Sequence, residues 1–424
     1  MEYQRPKGTA DILPDQIGVW QKIENTARSV FSKYGYQGIR TPMFENYNVF
    51  VRSVGDTSDI VTKEMYDFKD KGGRHITLRP EGTAGVVRAY IENKLFGPEY
   101  QKPYKVYYMG PMFRYERPQS GRLRQFHQIG VEALNSESPQ VDAEVIDMAL
   151  ELFKNYGVNN IKLVINSLGD DQSREAYRKA LIAYLEPHFD ELSEDSKERL
   201  YKNPLRVLDS KDEKDQEIVQ NAPSILDYLD DYSSKYFEEV KSLLTKLGIE
   251  YEIDSSMVRG LDYYTHTIFE IMSNSKAFNG KYTTVCAGGR YDGLISQLGG
   301  PDDGGIGFGL GVERLILLME QENPNFSTPS NLDIYLAYAD EEGDQLAFEL
   351  LHDLRLQGLK ADKDYSGIKL GSQIKAAVRL NSKYYAVLGK EEVSEKVIKI
   401  NKVDGNTQEV SLEDLKKNAS KFLK

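Results

Sequence analysis

Residues 113–132 read FRYERPQSGRLRQFHQIGVE and place four arginines, Arg114, Arg117, Arg122 and Arg124, within eleven residues of a chain whose formal net charge is −12. Guanidinium groups present planar forks of donors that match phosphate oxygens in pairs. Glu116 stands two residues past Arg114, on the same face if the strand continues, and can accept hydrogen bonds from an exocyclic amine. Phe126, on the returning segment, offers a flat surface to a purine ring. The same cluster also suits a solvated, charged hairpin tip.

Three other segments carry chemistry. In GFGLGVERLILLM, Gly307, Gly309 and Gly311 alternate, so one face of that strand is bare and lets a ligand or a second backbone approach. Glu313 and Arg314 then open a helix, where an arginine can cover a base or hold a phosphate. This is neither a Walker loop nor a dinucleotide fingerprint, because GK[ST] and GxGxxG are missing there. In VRGLDYYTHTIFE (258–270), Arg259 leads and a strand places Tyr263 and Tyr264 on opposite faces; two hydroxyls beside an arginine suit a small polar substrate. In LRPEGTA (78–84), Pro80 and Gly82 predict a turn that leaves Glu81 exposed, able to bind an ammonium group. Each segment also suits ordinary packing: a strand–helix turn, an aromatic interior strand, a strand end. The five histidines, His75, His127, His188, His266 and His352, lack metal-ligand spacing, and His127 reads as a hydrogen-bonded strand histidine. No GxSxG elbow occurs.

The elements that must carry these residues alternate. A helix over 15–34 places Ile17, Trp20, Ile23, Ala27, Val30 and Phe31 on one face. A turn and strand follow in GYQGIRTPMFE (35–45), broken at Pro42. Strands are predicted over 76–82, 105–116, 125–135, 259–271 and 282–294, a helix over 139–156, and a glycine-rich strand entering a helix over 304–321. Consecutive strands with short connections favour an antiparallel sheet flanked by helices, an α+β class. About 80 helical, acidic residues after 166–170 read as an insertion; within them, residues 186–242 hold 16 Asp/Glu against 8 Lys/Arg. NPNFSTPSN (323–331) reads as a linker. Beyond it, residues 332–424 alternate strands and helices as a βαβα domain with 16 Asp/Glu and 15 Lys/Arg.

Hydrophobic content of 40% and charged content of 28% suit a soluble globular chain. A single cysteine, Cys286, rules out an internal disulfide and a cysteine-built zinc site, and fits a reducing compartment. The polar start and the shortness of LILLM (315–319), the longest apolar stretch near a helix, lead us to expect a cytoplasmic protein without membrane attachment. An acidic total disfavours loose polyanion binding but leaves room for a local basic site, since screening confines surface fields to roughly 8–10 Å.

Taken together, these segments resemble the class II aminoacyl-tRNA synthetases, and within them the histidyl-tRNA synthetase family. The class motifs correspond to GYQGIRTPMFE, FRYERPQSGRLRQFH and GFGLGVERLILLM; the histidine-specific ones to LRPEGTA, RGLDYYTHTIFE and AGGRYDGL (287–294), with KGTADILP (7–14) similar to the family's start. The resemblance spans essentially the whole chain. It implies a catalytic core over 1–325 built on a six-stranded antiparallel sheet, with a helical insertion at about 171–247. It also implies a C-terminal α/β anticodon-binding domain over 332–424, and a homodimer formed partly through the GYQGIRTP region.

The implied activity is ligation of L-histidine to its tRNA through a histidyl-adenylate, with ATP as substrate and Mg²⁺ bridging the outer phosphates; the ion's protein ligands are not assigned. By the resemblance, Arg114 and Arg259 flank the α-phosphate, Arg314 holds the γ-phosphate side, and Arg122 reaches the pyrophosphate. Glu116 reads the adenine amine and Phe126 stacks on its ring. Glu81, Thr83 and Gln128 hold the amino acid's ammonium; Glu132 and Tyr264, with Tyr263 beside them, hold its imidazole. Gln119 and Arg124 face the tRNA acceptor end. Lys369, Lys375 and Arg379 offer a local basic face in the last domain, or simply a solvated helix. The alternative function is a non-catalytic regulatory subunit of ATP phosphoribosyltransferase, a paralogue that typically lacks the last domain and degrades these motifs.

Overall fold

A computed structural model describes residues 3–55, 58–323, 332–403 and 405–423. The chain divides into two units, Met1–Ser327 and Thr328–Lys424. The expected linker lies outside the described residues except for Asn323.

In the first unit the strands are, in chain order, β1 (Gln37–Gly38), β2 (Phe44–Asn46), β3 (Asp67–Lys69), β4 (His75–Leu78), β5 (Tyr104–Phe113), β6 (Gln125–Leu134), β7 (Lys162–Ser167), β8 (Glu252–Ile253), β9 (Thr265–Ser273), β10 (Thr283–Arg290) and β11 (Gly305–Gly311). Eight form one sheet in the order β1-β5-β6-β11-β10-β9-β7-β8. The six inner strands are antiparallel throughout. The expected six-stranded antiparallel sheet is therefore its interior. β1 and β8 add a two-residue parallel pairing at each edge, too short to leave any periodicity in sequence. Strands β2, β4 and β3 form a separate small antiparallel sheet.

Period-two alternation decides what each face of the large sheet does. On one face Ile129, Val131 and Ala133 of β6 lie opposite Leu310, Phe308 and Ile306 of β11, all buried in one core. Helices Ile17–Lys33, Pro139–Asn155, Asp231–Lys246 and Val312–Glu322 contribute to that core. Each large apolar side chain buried there contributes roughly 1.5–3 kcal/mol. The other face is thus free to carry glycines and polar groups. Helix starts follow local chemistry: Ser138 Oγ accepts from the Gln140 N–H with Pro139 at the first turn, and the Asp170 carboxylate accepts from the Ser173 N–H.

The acidic segment after residue 170 folds as helices Asp171–Leu185, Glu194–Lys202, Leu205–Leu208, Glu213–Val219 and Asp231–Lys246. Its buried Asp215 accepts hydroxyl hydrogens from Ser193, Ser196 and Ser210, each at 2.6 Å. A buried carboxylate surrounded by donors replaces the hydration it loses.

Four expected strands are shorter than predicted. Those expected to run to Gly82, Glu116 and Leu294 stop at Leu78, Phe113 and Arg290, and that expected from Arg259 begins at Thr265. In the second unit β12 (Leu332–Tyr338), β13 (Ala361–Lys363), β14 (Ser382–Leu388), β15 (Val397–Lys402) and β16 (Thr407–Ser411) form a mixed sheet ordered β13-β12-β14-β15-β16. Helices Glu341–Leu356, Leu370–Arg379, Lys390–Glu395 and Leu412–Asn418 complete it. β16 escaped sequence reading because TQEVS is mostly polar and buries only Val410. Lys369 caps the second of these helices rather than lying within it, while Lys375 and Arg379 are exposed along it.

Candidate functional site

The site is built on the glycine-bearing face. Cross-strand pairing sets Glu132 opposite Gly307, Gly130 opposite Gly309, and Gln128 opposite Gly311. The row through Gly309 continues to Ala287 on β10 and Glu270 on β9. Each missing side chain has a use. A Cβ on Gly307 would fall 2.0 Å from Glu132 Oε2, so only glycine lets that carboxyl lie across the sheet. The Tyr108 ring fills the space over both Gly82 and Gly130. Above Gly311 nothing lies nearer than 4.0 Å, leaving a bare floor beside Gln128. Gly307→Ala is therefore expected to displace the Glu132 carboxyl and to destabilise the fold by about 1–3 kcal/mol. Unchanged stability in denaturant melts would show that Glu132 does not need this space.

Glu132 is the deepest ionisable group of the face, 1% exposed. Thr83 Oγ1 donates to its Oε1 at 2.7 Å, and the Tyr291 hydroxyl donates to Oε2. Burial pushes its pKa up to about 8, and nearby Glu81 adds to the rise against the two hydroxyl donors. Tyr291 follows Arg290 in AGGRYDGL and was assigned no role in the sequence reading. Arg290 itself points to the other side of the sheet, where it is buried against Asp142 of the helix Pro139–Asn155.

Glu81 corrects an expectation. It is 4% exposed, not solvent-facing, because its carboxylate turns inward to accept the N–H groups of Thr83 at 2.6 Å and Ala84 at 2.9 Å. Those are orphan donors of the helix Thr83–Glu92, so the turn is also a helix start. Burial raises its pKa. The tyrosine pair is corrected as well. Tyr263 and Tyr264 do not alternate across a strand; they lie in the turn before β9, both buried, with ring centroids 4.7 Å apart. Tyr263 also meets Tyr291 edge-on at 5.6 Å.

The guanidinium groups gather next to this polar pocket. Arg114 Nε donates to Pro80 O at 2.8 Å, and its guanidinium lies 5.2 Å from the Phe126 ring centre. Arg122 Nε lies 2.5 Å from Glu116 Oε2, and Arg114 Nη1 3.9 Å from Glu116 Oε1. These three meet through the loop beyond β5, not through the shared strand face expected for Arg114 and Glu116. Arg259 pairs closely with Glu270, whose other oxygen accepts from Thr284 Oγ1 at 2.5 Å. Arg314 Nη1 donates to the Thr284 carbonyl at 2.6 Å. Burial, then Arg122, pushes the Arg314 pKa down; Glu116 and Glu270 oppose them, and Arg114 adds to the fall. Arg259 Nε is buried and unpartnered. Positive charge is thus concentrated where a polyanion would relieve it.

Glu270 and Thr284 were missed in sequence. The available signal was a lone carboxylate inside the apolar strand TIFEIM. Of the two residues expected at the acceptor end, Arg124 stacks 3.7 Å over the Tyr115 ring and donates to Glu116 O, while Gln119 pairs with Arg122 through backbone bonds. His127 is satisfied as expected, bonded to Glu313 through its backbone N–H and Nδ1. A cavity of about 450 Å³ opens behind this loop, between Trp20, Leu123, His127 and Leu317; neither Glu132 nor the arginines line it. Among the described residues no group of three or more His, Cys, Asp or Glu is arranged to hold a metal, and no helix is long and apolar enough to cross a membrane.

Residues 8–315 match the family described as Histidyl-tRNA synthetase, and residues 333–421 match Anticodon binding domain. The chain is 60% identical over 416 residues to the histidine–tRNA ligase of Ligilactobacillus salivarius, covering 98% of this chain and 96% of that one. It is 59% identical over 424 residues to that of Lactiplantibacillus plantarum, covering 100% of both. Among solved structures it is similar to apo S. aureus histidyl-tRNA synthetase, with a TM-score of 0.84, 42% identity and 99% of each chain covered.

Proposed function

The chain belongs to the histidyl-tRNA synthetase family and charges tRNA with histidine, using ATP, and on that premise we propose how its residues divide the work. The adenine ring stacks on Phe126 with its amine toward Glu116. Arg114 and Arg259 take the α-phosphate from two sides, Arg314 the γ-phosphate and Arg122 the departing pyrophosphate. Glu81, Thr83 and Gln128 bind the amino acid's ammonium group. Glu132 accepts the imidazole N–H, Tyr264 donates to the second ring nitrogen, and Tyr263 packs beside them.

In the first step the histidine carboxylate attacks the α-phosphorus in line as the bond to pyrophosphate breaks. The attack needs charge stabilisation around phosphorus more than a protein base. In the second step the terminal ribose hydroxyl of tRNA attacks the adenylate's carbonyl carbon, and AMP leaves. Mg²⁺ would enter with ATP as part of that substrate and would offset the charge of its phosphates. Gln119 and Arg124 approach the acceptor end; Arg124 would first leave Tyr115. Residues 1–325, with the insertion at about 171–247, form the catalytic part, and 332–424 read the anticodon, with Lys369, Lys375 and Arg379 on the contacting face. The protein works in the cytoplasm as a homodimer joined partly through GYQGIRTP.

The observation that best supports this reading is the juxtaposition on one glycine-floored face. A buried carboxyl, Glu132, lies among hydroxyls at one end, and Arg114, Arg122, Arg259 and Arg314 gather about Glu116 and Glu270 at the other. A buried polar pocket rejects analogues that leave its groups unpaired, by up to ~10⁴–10⁵ where hydrogen bonds are lost. The regulatory-subunit alternative is not favoured, since relatives at about 60% identity over essentially the whole chain are histidine–tRNA ligases. The test is ATP–pyrophosphate exchange with each of the twenty amino acids in turn. Exchange is expected with histidine alone; none from folded protein with Mg²⁺ present would revive the alternative.

A further inference from the structure

The segment Arg259–Tyr264 is held from two directions. On the sheet side the Arg259 guanidinium pairs with Glu270. From the other side, three residues of the insertion reach the segment. Arg206 Nη1 donates to Arg259 O at 3.4 Å. Asn203 Nδ2 donates to Asp262 Oδ1 at 2.9 Å. Arg174 donates to Tyr264 O at 3.2 Å and Asp262 O at 3.4 Å.

These donors are themselves anchored. Arg206 lies 3.7 Å from Asp59 Oδ2 and 3.5 Å from Asp209, and Arg199 reaches the same Asp59 oxygen at 3.1 Å. The Asp262 carboxylate occupies the space over Gly55, where a Cβ would fall 2.2 Å from Oδ2. Its N–H donates to Val54 O at 3.3 Å. The backbone that carries Arg259 therefore sits in a clamp formed by the insertion, braced on Asp59, and by Val54 and Gly55, which meet Asp262.

We propose that Arg206 and Asn203 are positioning residues for Arg259, so that the seat of the insertion fixes where this guanidinium stands against the reacting phosphate. The proposal rests on the role given to Arg259 above. Arg206 touches no reacting group in this scheme; it acts by holding one carbonyl of a turn that lacks strand pairing. Displacing a catalytic group by about 1 Å can lower a rate up to ~100-fold without loss of substrate affinity.

The test uses the full chain, with Arg206→Gln and, as a second variant, Asn203→Ala. Histidine-dependent pyrophosphate exchange is measured in the parent and in an Arg259→Lys background, together with melting temperatures. Expected is a kcat about tenfold lower in the parent, with KM for histidine and ATP within about twofold. In Arg259→Lys the same changes are expected to lower kcat less than about twofold, because the group being positioned is gone. Equal losses in both backgrounds, an effect on KM or melting temperature alone, or no effect would overturn the proposal. Full exchange by Arg259→Lys itself would instead sink the role of Arg259, and the clamp with it.

Discussion

Arg259→Ala is expected to reduce histidyl-adenylate formation by roughly 10²–10³-fold, the loss typical of removing one preorganised donor from a developing charge. The geometry argues for an effect at this end of the range or beyond. The Arg259 side chain is 17% exposed, its buried Nε has no partner, and its guanidinium is already largely desolvated against Glu270. A donor in that condition does not reorganise when the α-phosphate gains charge. ATP binding should change little, since Phe126, Glu116 and Arg314 remain. The folded state is less indifferent. Removing one member of this partly buried ion pair costs on the order of 1–3 kcal/mol, because Glu270 loses its principal partner and keeps Thr284. Arg259→Ala with Glu270→Gln should recover most of that stability and none of the activity. Rapid-quench measurement of adenylate, alongside denaturant melts of both variants, separates the two effects. Adenylate formed at the parental rate by Arg259→Ala would refute the assigned role.

What the sequence disclosed depended on how local each feature is. Helices with caps in their own sequence, such as Ser138–Pro139 and Asp170, form close to their expected positions. The glycine alternation at 307, 309 and 311 announced a bare face, though not that Glu132 would lie across it. Glu81 looked like an exposed turn residue because nothing nearby in sequence says that the following residues start a helix whose N–H groups it must satisfy. RGLDYY looked like a strand on aromatic content. It forms a turn because Arg174, Asn203 and Arg206, all more than 50 residues earlier, take its carbonyl and carboxylate acceptors. Tertiary partners override local propensity in such segments. The roles proposed for the site residues rest largely on family resemblance rather than on spacing. Tyr291 and Tyr108 stayed hidden, since a tyrosine's burial against a carboxyl or over a glycine depends on strand order rather than on spacing.

Under the proposed assignment, strand order lets one face of the sheet serve two ligands of opposite character. Phosphates need donors and positive charge; an imidazole N–H needs an acceptor. Placing both on β6, with Phe126 and Gln128 toward one end and Glu132 toward the other, separates them by a few residues along one strand. Arg114 lies near enough to Glu81 to lower its pKa, yet burial prevails there and the carboxyl is raised. Polar groups in the pocket are thus governed by desolvation more than by the neighbouring cations.

That balance makes Glu132 a pH-dependent group. Its pKa of about 8 exceeds its ordinary value because burial disfavours the carboxylate. The folded state therefore holds a proton that the unfolded chain has released between the ordinary value, near 4.5, and about 8. Its contribution to stability is fully present below the lower limit, falls as pH rises through this window, and is constant above it. The fall is on the order of 5 kcal/mol, and Glu132→Gln should lack it. Histidine capture has the opposite dependence. If neutral imidazole donates to a carboxylate, binding must expel the Glu132 proton below pH 8. The dissociation constant for histidine should then rise about tenfold per unit as pH falls from 8 towards 7, and more steeply below about 6.5, where free imidazole also takes a proton. Calorimetric titrations in buffers of different ionisation enthalpy should detect release of close to one proton at pH 7. In Glu132→Gln, affinity should drop at least ~100-fold and the dependence between pH 7 and 8 should vanish. A flat profile in the parent, without proton release, would mean that the Glu132 proton stays in the complex and that the imidazole accepts, rather than donates, the bond between them.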